Sequence, residues 1–254
     1  MESIITTLES GPVSYLTINR PESLNAINFD LIHQLYAKVT KIDENEKTQI
    51  VVLRGAGDKA FAAGADIAEM YKMPEADILA YIRLANSLMQ RIERAKKIYI
   101  AVVDGYALGG GLELALSCDL IMASTKAQFG LPEVTLELIP GFGGTQRLLA
   151  RTNYGVAKRM ILTGQVITSD EAKNLGIVDF IFDEKNINKE VKKITEQLSQ
   201  NSLEAMLKAK SVLLQTLEPV VQPGLELEQE AFLEVFKSKE AKNRLLNFVN
   251  RRKK

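Results

Sequence analysis

Apolar positions along the chain follow two spacings, one typical of buried strands and one typical of amphipathic helices. Short apolar runs at 49–53, 98–103 and 120–123 predict strands that are buried on both faces. Partial alternation at 13–19 predicts another strand. Helical spacing is clearest among the apolar residues Ile78, Ile82, Ala85, Met89 and Ile92. Strands that alternate with helices in this way predict an α/β core.

Capping residues indicate where several helices begin. Asn28 can cap a helix that extends to about Asn45, and Thr168 with Glu171 has the spacing of a capping box. After the second helix, the apolar stretch at 177–181 predicts a return to strand.

The composition changes after about Asn188. Nearly all later residues favour helix, with interruptions expected at Pro219 and Pro223. This stretch is too short for a large core of its own, so it should pack on the rest of the chain or on a neighbouring subunit. We therefore divide the chain into a core at 1–190 and a helical region at 191–254.

Composition and charge narrow the functional classes. The 254 residues are 46% hydrophobic, which is enough for one substantial core. Thirty-two basic and thirty-two acidic residues give no net charge, so no global field would recruit nucleic acid or an anionic membrane. With one cysteine, Cys118, and one histidine, His33, the usual zinc sites are nearly excluded, and His33 is interpreted as a packed or surface residue.

The termini and one glycine motif are interpreted as structural. The first residues lack the features of a secretory or transit signal, and no apolar run spans a bilayer, so a cytoplasmic protein is expected. The G-x-G-x-x-A match at 55–60 follows a strand but precedes no clean helix, which disfavours nucleotide binding. The basic end at 250–254 is interpreted as a solvated tail, with no nucleic-acid partner.

Two glutamates twenty residues apart are the candidates for chemistry. Glu113 follows the three glycines at 109–111, and Glu133 lies in the largely apolar stretch 128–133. A carboxylate in such a setting is costly to desolvate, so it is usually paired, hydrogen-bonded or used in chemistry. The pair suggests acid/base work on one substrate.

Four ordered segments, 61–67, 101–119, 127–133 and 139–147, resemble the signatures of the enoyl-CoA hydratase, or crotonase, family. The similarity runs from about Ser14 to the C-terminal helices. It implies an α/β fold, a crotonase-like spiral of ββα turns with a C-terminal helical trimerisation region. It also implies a homotrimer or a dimer of trimers, with an acyl-CoA substrate, no separate cofactor and no metal.

The same resemblance implies an activity, a hydro-lyase that adds water across the 2,3 double bond of 2-enoyl-CoA thioesters. Glu113 would help to activate the water, and Glu133 would chiefly handle the proton at the second carbon. The N–H groups of Ala65 and Gly110 correspond to the two donors that hold the thioester carbonyl oxygen. The residues expected along coenzyme A are Asn25, Ala26, Ala63, Ala65, Asp66, Ile67, Ala68 and Gly110.

Two positions depart from the family pattern. Glu137 stands where relatives commonly have glycine; its carboxylate could narrow the acyl pocket, but we expect it to point to solvent. Ala68 stands where several relatives have lysine, which leaves Arg20, Lys59 and Lys72 as unranked candidates for the coenzyme A phosphates.

Two other functions share these motifs. Isomerases of the family generally use one carboxylate in this region, whereas hydratases use both, and this chain has both. A non-catalytic RNA-binding or scaffold relative would have no need of both acids and both glycine turns. Broad 2-enoyl-CoA hydration, as in fatty-acid β-oxidation or short-chain metabolism, is the expected range.

Overall fold

The computed structural model describes residues 4–251, and within them ten strands form two β-sheets. In chain order the strands are β1 (Ile5–Ser10), β2 (Val13–Ile18), β3 (Ile50–Gly55), β4 (Ala60–Ala62), β5 (Ile98–Val103), β6 (Tyr106–Leu108), β7 (Leu120–Ser124), β8 (Gln128–Gly130), β9 (Val166–Thr168) and β10 (Phe180–Phe182). The α-helices are α1 (Phe29–Asp43), α2 (Ile67–Met70), α3 (Glu75–Glu93), α4 (Gly110–Leu116), α5 (Gly144–Arg151), α6 (Tyr154–Thr163), α7 (Ser169–Asn174), α8 (Ile187–Ser199), α9 (Leu203–Phe236) and α10 (Lys239–Arg251). Short 3-10 helices occupy Pro21–Ser23 and Glu133–Leu136.

The larger sheet has the strand order β1-β2-β3-β5-β7-β10, and the smaller has β4-β6-β8-β9. Pairing is parallel except between β1 and β2 and between β8 and β9. Successive stretches of chain place one strand in each sheet, β3 then β4, β5 then β6, and β7 then β8, and a helix follows each pair. This repetition confirms the spiral of ββα turns implied by the family resemblance.

The central strands of the larger sheet, β3, β5 and β7, are buried on both faces. In β3, Val51 and Leu53 join the main core, whereas Ile50 and Val52 join a second core that includes Val191 of α8. Since successive side chains of a strand point to opposite faces, every position of such a strand must be apolar. The short apolar runs in the sequence therefore marked buried strands correctly.

The two helix caps predicted from the sequence are confirmed. The Asn28 side chain accepts a hydrogen bond of 2.9 Å from the Leu31 N–H, and α1 ends at Asp43, two residues before the predicted end. Thr168 and Glu171 form the predicted capping box at the start of α7.

The strand predicted at 177–181 is wrong in its first half. The N–H groups of Ile177 and Val178 both donate to the Ala172 carbonyl, at 2.8 and 3.2 Å, so these residues belong to the turn that ends α7. Their burial, and not strand geometry, explains their apolar character. Pairing with β7 begins only at Phe180.

The predicted interruptions at Pro219 and Pro223 are also wrong, because α9 continues through both. A proline in a helix leaves the carbonyl four residues earlier without its donor. Those carbonyls belong to Gln215 and to Pro219 itself, and both residues are exposed, so water can supply the missing hydrogen bonds.

The helical region packs on the rest of the same chain, one of the two options left by the sequence. Helix α9 contacts α3 and α5, and α10 contacts α2 and the 3-10 helix at Glu133–Leu136. Lys210 of α9 donates to Asp119 Oδ2 at 2.9 Å, and Phe232 and Phe236 enter the main core. The proposed boundary between 190 and 191 falls inside α8.

Two of the sequence interpretations concern loops and ends. The G-x-G-x-x-A motif at 55–60 connects strand β3 to strand β4. It therefore does not lead into a helix, as a dinucleotide-binding motif would. Of the basic end predicted to be a solvated tail, Asn250 and Arg251 belong instead to α10, and residues 252–254 lie outside the described residues. Among the helices within residues 4–251, none combines the length and the apolar character needed to cross a membrane.

We expect Phe236→Ala to destabilise the fold by about 3–5 kcal/mol, because the ring is only 3% exposed and stacks on Phe232 in the main core. Leu162→Ala on α6 is the matched control, since that side chain is 65% exposed and should change stability by no more than about 0.5 kcal/mol. Urea unfolding of both variants measures the difference. Equal losses would contradict the docking of α9 through this face.

Candidate active site

Glycines allow two parts of the backbone to meet at the start of α4. Gly109 has φ +49° and ψ −127°, a conformation that suits glycine, and a methyl group there would lie 2.8 Å from Glu133 Oε1. A methyl group on Gly111 would lie 1.9 Å from the Ala62 carbonyl oxygen, so the helix touches β4 directly. The glycine run is therefore required both by the turn and by the close packing of helix on strand.

Two backbone N–H groups lie side by side at this turn. Gly110 opens α4, so its N–H is one of the first-turn donors without an acceptor inside the helix. Ala65 pairs with Ile27 in a parallel bridge whose two hydrogen bonds come from the N–H groups of Ile27 and Asp66, which leaves the Ala65 N–H outside the bridge. A methyl group on Gly110 would lie 3.5 Å from the Ala65 nitrogen. The two donors can therefore approach one oxygen atom.

Glu113 lies in the first turn of α4, with 1% of its surface exposed. Its Oε1 accepts hydrogen bonds from the N–H groups of Phe142, at 2.8 Å, and Gly144, at 2.6 Å. Burial raises the pKa of Glu113 well above its ordinary value, and the charges of Glu133 and Glu228 raise it further, while the two N–H donors oppose the shift. A methyl group on Gly144 would lie 2.8 Å from Oε1, so this contact needs glycine.

Glu133 opens the 3-10 helix and has much weaker compensation for its charge. Its Oε2 is buried and has no hydrogen-bond partner among residues 4–251. Burial raises the pKa of Glu133 to about 8, with a further contribution from Glu228. Two neighbouring buried carboxyl groups resist simultaneous ionisation, so the pair tends to retain a proton as the pH rises. The two N–H donors at Glu113 favour the carboxylate form there, whereas Glu133 Oε2 has no such donor among residues 4–251.

Both carboxyl groups face a cavity of about 520 Å³. Its wall includes Ala63 to Ala65 and Gly109 to Gly110 from the two turns. Apolar side chains form much of the remainder: Leu24, Met70, Leu108, Leu136, Leu138, Ile139, Phe142, Phe232 and Phe248. A site that is lined by apolar groups and contains a few convergent polar groups is suited to a small-molecule substrate.

Half of the residues expected along coenzyme A lie on this wall, namely Ala63, Ala65, Ile67 and Gly110. The other half, Asn25, Ala26, Asp66 and Ala68, do not line the cavity. The Asn25 side chain is fully buried and donates to the carbonyls of Ala56, at 2.9 Å, and Ala60, at 2.7 Å. It holds the turn between β3 and β4 in place, so its side chain has no free donor for a ligand.

The candidate basic residues differ in their surroundings. Arg20 donates to the Ala26 carbonyl and pairs with Asp66 Oδ2 at 3.0 Å, so its charge is already matched. Lys59 and Lys72 are exposed and lie off the cavity wall. Arg251 of α10, which sequence reasoning did not single out, lies on the wall.

Glu137 points away from the cavity, as expected. It is exposed, and its Oε2 lies 3.4 Å from Arg244 Nε. Its backbone is left-handed, with φ +59°, which explains why glycine suits this position.

His33 is an exposed residue of α1 that packs against the Phe29 ring. Within residues 4–251, no cluster of three or more potential metal ligands occurs.

Sequence reasoning missed a third buried carboxyl group, that of Glu228 on α9. It is 3% exposed and lies on the face of α9 that also buries Leu225 and Phe232. An acid three residues after one buried apolar residue and four before another is the signal that could have found it. Phe248 left no comparable signal, because its place on the cavity wall depends on how α10 packs.

Several known proteins are similar to this chain in sequence and structure. A sequence model described as enoyl-CoA hydratase/isomerase matches residues 9–254. The chain is 38% identical over 245 residues to the short-chain-enoyl-CoA hydratase of Clostridium acetobutylicum, which covers 96% of this chain and 94% of that relative. It is 35% identical over 252 residues to the crotonyl-CoA hydratase of Syntrophomonas wolfei. That alignment covers 99% of this chain and 97% of the relative. The crystal structure of an enoyl-CoA hydratase from Bacillus anthracis superposes with a TM-score of 0.83 at 34% identity, covering 98% of this chain and 97% of that one.

We expect Glu133→Gln to stabilise the fold, and the gain to grow as the pH rises. The pKa of Glu133 is raised from 4.5 to about 8 in the folded protein, so the folded state holds a proton that the unfolded state has lost across this range. The free energy of unfolding therefore falls as the pH rises between these two values. The neutral amide of the Glu133→Gln variant removes this loss, so the variant should be more stable than the parent by on the order of 1–3 kcal/mol at pH 8. Thermal unfolding at pH 5 and pH 8 measures it, with Glu226→Gln as the exposed control. A gain that is equal at both pH values would contradict a buried neutral acid.

Proposed function

The chain belongs to the enoyl-CoA hydratase/isomerase family, and from this membership we propose that it is an enoyl-CoA hydratase. The reaction adds water across the 2,3 double bond of a 2-enoyl-CoA thioester and gives a 3-hydroxyacyl-CoA. One observation carries the proposal: two buried carboxyl groups, Glu113 and Glu133, face the same cavity beside two adjacent backbone donors.

The backbone donors suit the first requirement of this reaction, which is to stabilise charge on the thioester oxygen. Attack at the third carbon moves negative charge onto that oxygen as an enolate forms. The N–H groups of Ala65 and Gly110 are fixed in place before the substrate binds, so they need no rearrangement as the charge develops. A donor of this kind typically stabilises the transition state by about 3–4 kcal/mol.

The two carboxyl groups divide the proton transfers. Glu113, as the carboxylate, accepts a proton from the water whose oxygen bonds to the third carbon. Glu133, as the acid, donates its proton to the second carbon, where the enolate electrons form the new C–H bond. One proton has then moved onto Glu113 and one has left Glu133, and proton transfer between them through water restores the starting state.

The cavity also supports a particular kind of substrate. Apolar walls from Leu136, Phe142 and Phe232 suit an aliphatic acyl chain, and the small residues Ala63, Ala65 and Gly110 leave room for the pantetheine arm. Relatives at 35–38% identity carry the names short-chain-enoyl-CoA hydratase and crotonyl-CoA hydratase. We therefore place short 2-enoyl-CoAs first among the substrates, in β-oxidation or a related short-chain pathway. A cytoplasmic location and the use of coenzyme A only as part of the substrate stay predictions.

We expect Glu113→Gln and Glu133→Gln each to lower kcat on crotonyl-CoA by at least about 100-fold, because each removes one proton-transfer group. Substrate binding should persist, since neither change blocks the cavity. Loss of the conjugated thioester absorbance measures hydration, and calorimetric titration with a saturated acyl-CoA measures binding. Near-normal hydration by either variant would contradict the division of roles.

A 3-enoyl-CoA of equal chain length provides the comparison with an isomerase. Its double bond is not conjugated to the thioester, so a base must first remove a proton from the second carbon. The parent protein should hydrate the 2-enoyl-CoA faster than it isomerises the 3-enoyl-CoA. The reverse order, together with an active Glu113→Ala variant, would leave Glu133 as the sole catalytic acid and favour the isomerase. Inactivity on both substrates would favour a non-catalytic relative.

We also propose that the chain assembles as a homotrimer or a dimer of trimers. Four apolar side chains of α9 are 64–68% exposed in the single chain: Val212, Leu213, Val220 and Leu227. Apolar surface of this extent on one helix is typical of a protein interface.

The assembly should appear in light scattering as a mass about three or six times 28.2 kDa. Leu213→Glu should shift the population toward smaller species, because it places a charge in the proposed interface. Leu162→Glu, at an exposed leucine of α6, is the control and should leave the mass unchanged. A monomeric parent protein would refute the proposed assembly.

A further inference from the structure

The carboxylate of Glu228 binds the turn at residues 142–145, just before and at the start of α5. Its Oε1 accepts from the Gly143 N–H at 2.6 Å. Its Oε2 accepts from the Thr145 N–H at 2.9 Å and from the Thr145 hydroxyl at 2.5 Å. Burial raises the pKa of Glu228, and these three donors, together with the charge of Arg147, oppose that shift by stabilising the carboxylate.

The same turn supplies both donors to Glu113. The N–H groups of Phe142 and Gly144 bind Glu113 Oε1, while those of Gly143 and Thr145 bind Glu228. Four consecutive N–H groups therefore point alternately at two buried acids, one from α4 and one from α9. The turn cannot shift relative to one carboxylate without disturbing its bonds to the other.

Arg147 holds the turn from its carbonyl side. Its Nη1 donates to the Phe142 carbonyl at 2.6 Å, and its Nε and Nη2 donate to Glu93 at 2.9 and 3.0 Å. Gly143, with φ +96°, leaves the space for this guanidinium, because a methyl group there would lie 1.7 Å from Nη1. The turn is thus held on one side by Glu228 and on the other by Arg147, which is itself paired with Glu93.

We propose that Glu228 is a positioning residue of the active site, which fixes the 142–145 turn so that two of its N–H groups hold Glu113 Oε1 and leave Oε2 to the reacting water. The role rests on the proposed hydratase function, because it acts through Glu113. Without this anchor on α9, the turn and the water-activating carboxylate would lose their fixed distance from the substrate. Misplacement by even about an ångström can reduce a rate on the order of 100-fold.

The charge of Glu228 has a second effect, which separates positioning from simple packing. The charged groups around it are Arg147 from α5, Glu113 from α4 and Glu133 from the 3-10 helix. The Glu228 carboxylate contributes to the raised pKa of both Glu113 and Glu133. Removing that charge lowers the pKa of Glu133, so the pH above which its proton is lost should fall below about 8.

The test compares Glu228→Gln and Glu228→Asp with Glu226→Gln, an exposed acid two residues away on the same helix. Glu228→Gln should lower kcat on crotonyl-CoA by about tenfold or more, with KM changed by less than about threefold. The alkaline limb of its kcat/KM profile should move to lower pH. Glu228→Asp keeps the charge but shortens the side chain. The alkaline limb of its kcat/KM profile should therefore stay at the parent's pH, while kcat falls. Glu226→Gln should match the parent in all three measurements.

A second pair of variants covers the case in which Glu228→Gln does not fold. Thr145→Val removes the hydroxyl that donates to Glu228 at nearly constant side-chain volume, whereas Thr145→Ser keeps a hydroxyl at this position. The valine variant should lose kcat several-fold, and the serine variant should recover most of it. The positioning role would be overturned if folded Glu228→Gln kept the parent's kcat and the parent's alkaline limb of the kcat/KM profile. Equal kcat values for the two Thr145 variants would overturn it as well. Absence of hydration by the parent protein would instead overturn the hydratase function, and this role with it.

Discussion

Burial of carboxyl groups is the constraint on which the arrangement of this protein depends. An ionised carboxylate in an apolar interior is strongly destabilising unless hydrogen bonds or a counter-charge replace the lost water. Glu113 and Glu228 obtain those hydrogen bonds from one backbone turn, whereas Glu133 has a buried oxygen with no partner in the part of the chain that the structure describes. In the proposed reaction, this difference in hydrogen bonding separates the base, Glu113, from the acid, Glu133. Such under-compensated groups are the usual place where a fold gives up stability for activity.

The spiral of ββα turns provides the rigid frame that this chemistry needs. Parallel strands β4, β6 and β8 lie side by side, so the segments that follow them emerge at one edge of the smaller sheet. Two of these segments carry the donors of Ala65 and Gly110, and the third carries Glu133. Neighbouring strands therefore bring together groups that are far apart in sequence, and strand pairing fixes their separation better than loops alone could.

Features that depend on near neighbours in sequence could be predicted, and those that depend on distant contacts could not. The Asn28 cap and the buried run at 49–53 follow from a few adjacent residues, and both were found. The continuity of α9 through Pro219 depends on which carbonyls face water, and the role of Ile177 depends on a contact with α7. The two candidate acids were visible because they interrupt apolar stretches. Glu228 lies among other acids, and its partners are about eighty residues away in the chain, at separations of 85 and 83 residues.

The contribution of α9 and α10 to the cavity wall has a consequence for synthesis of the protein. Phe232 and Phe248 complete a cavity whose carboxyl groups were made much earlier, and ribosomes add only about 5–20 residues per second. The strands and turns can therefore begin to fold on the ribosome while the cavity is still open on one side. Reactive geometry is then the last property that the nascent chain acquires, so a chain that stops before these helices would hold the carboxyl groups in an unfinished, water-filled cleft.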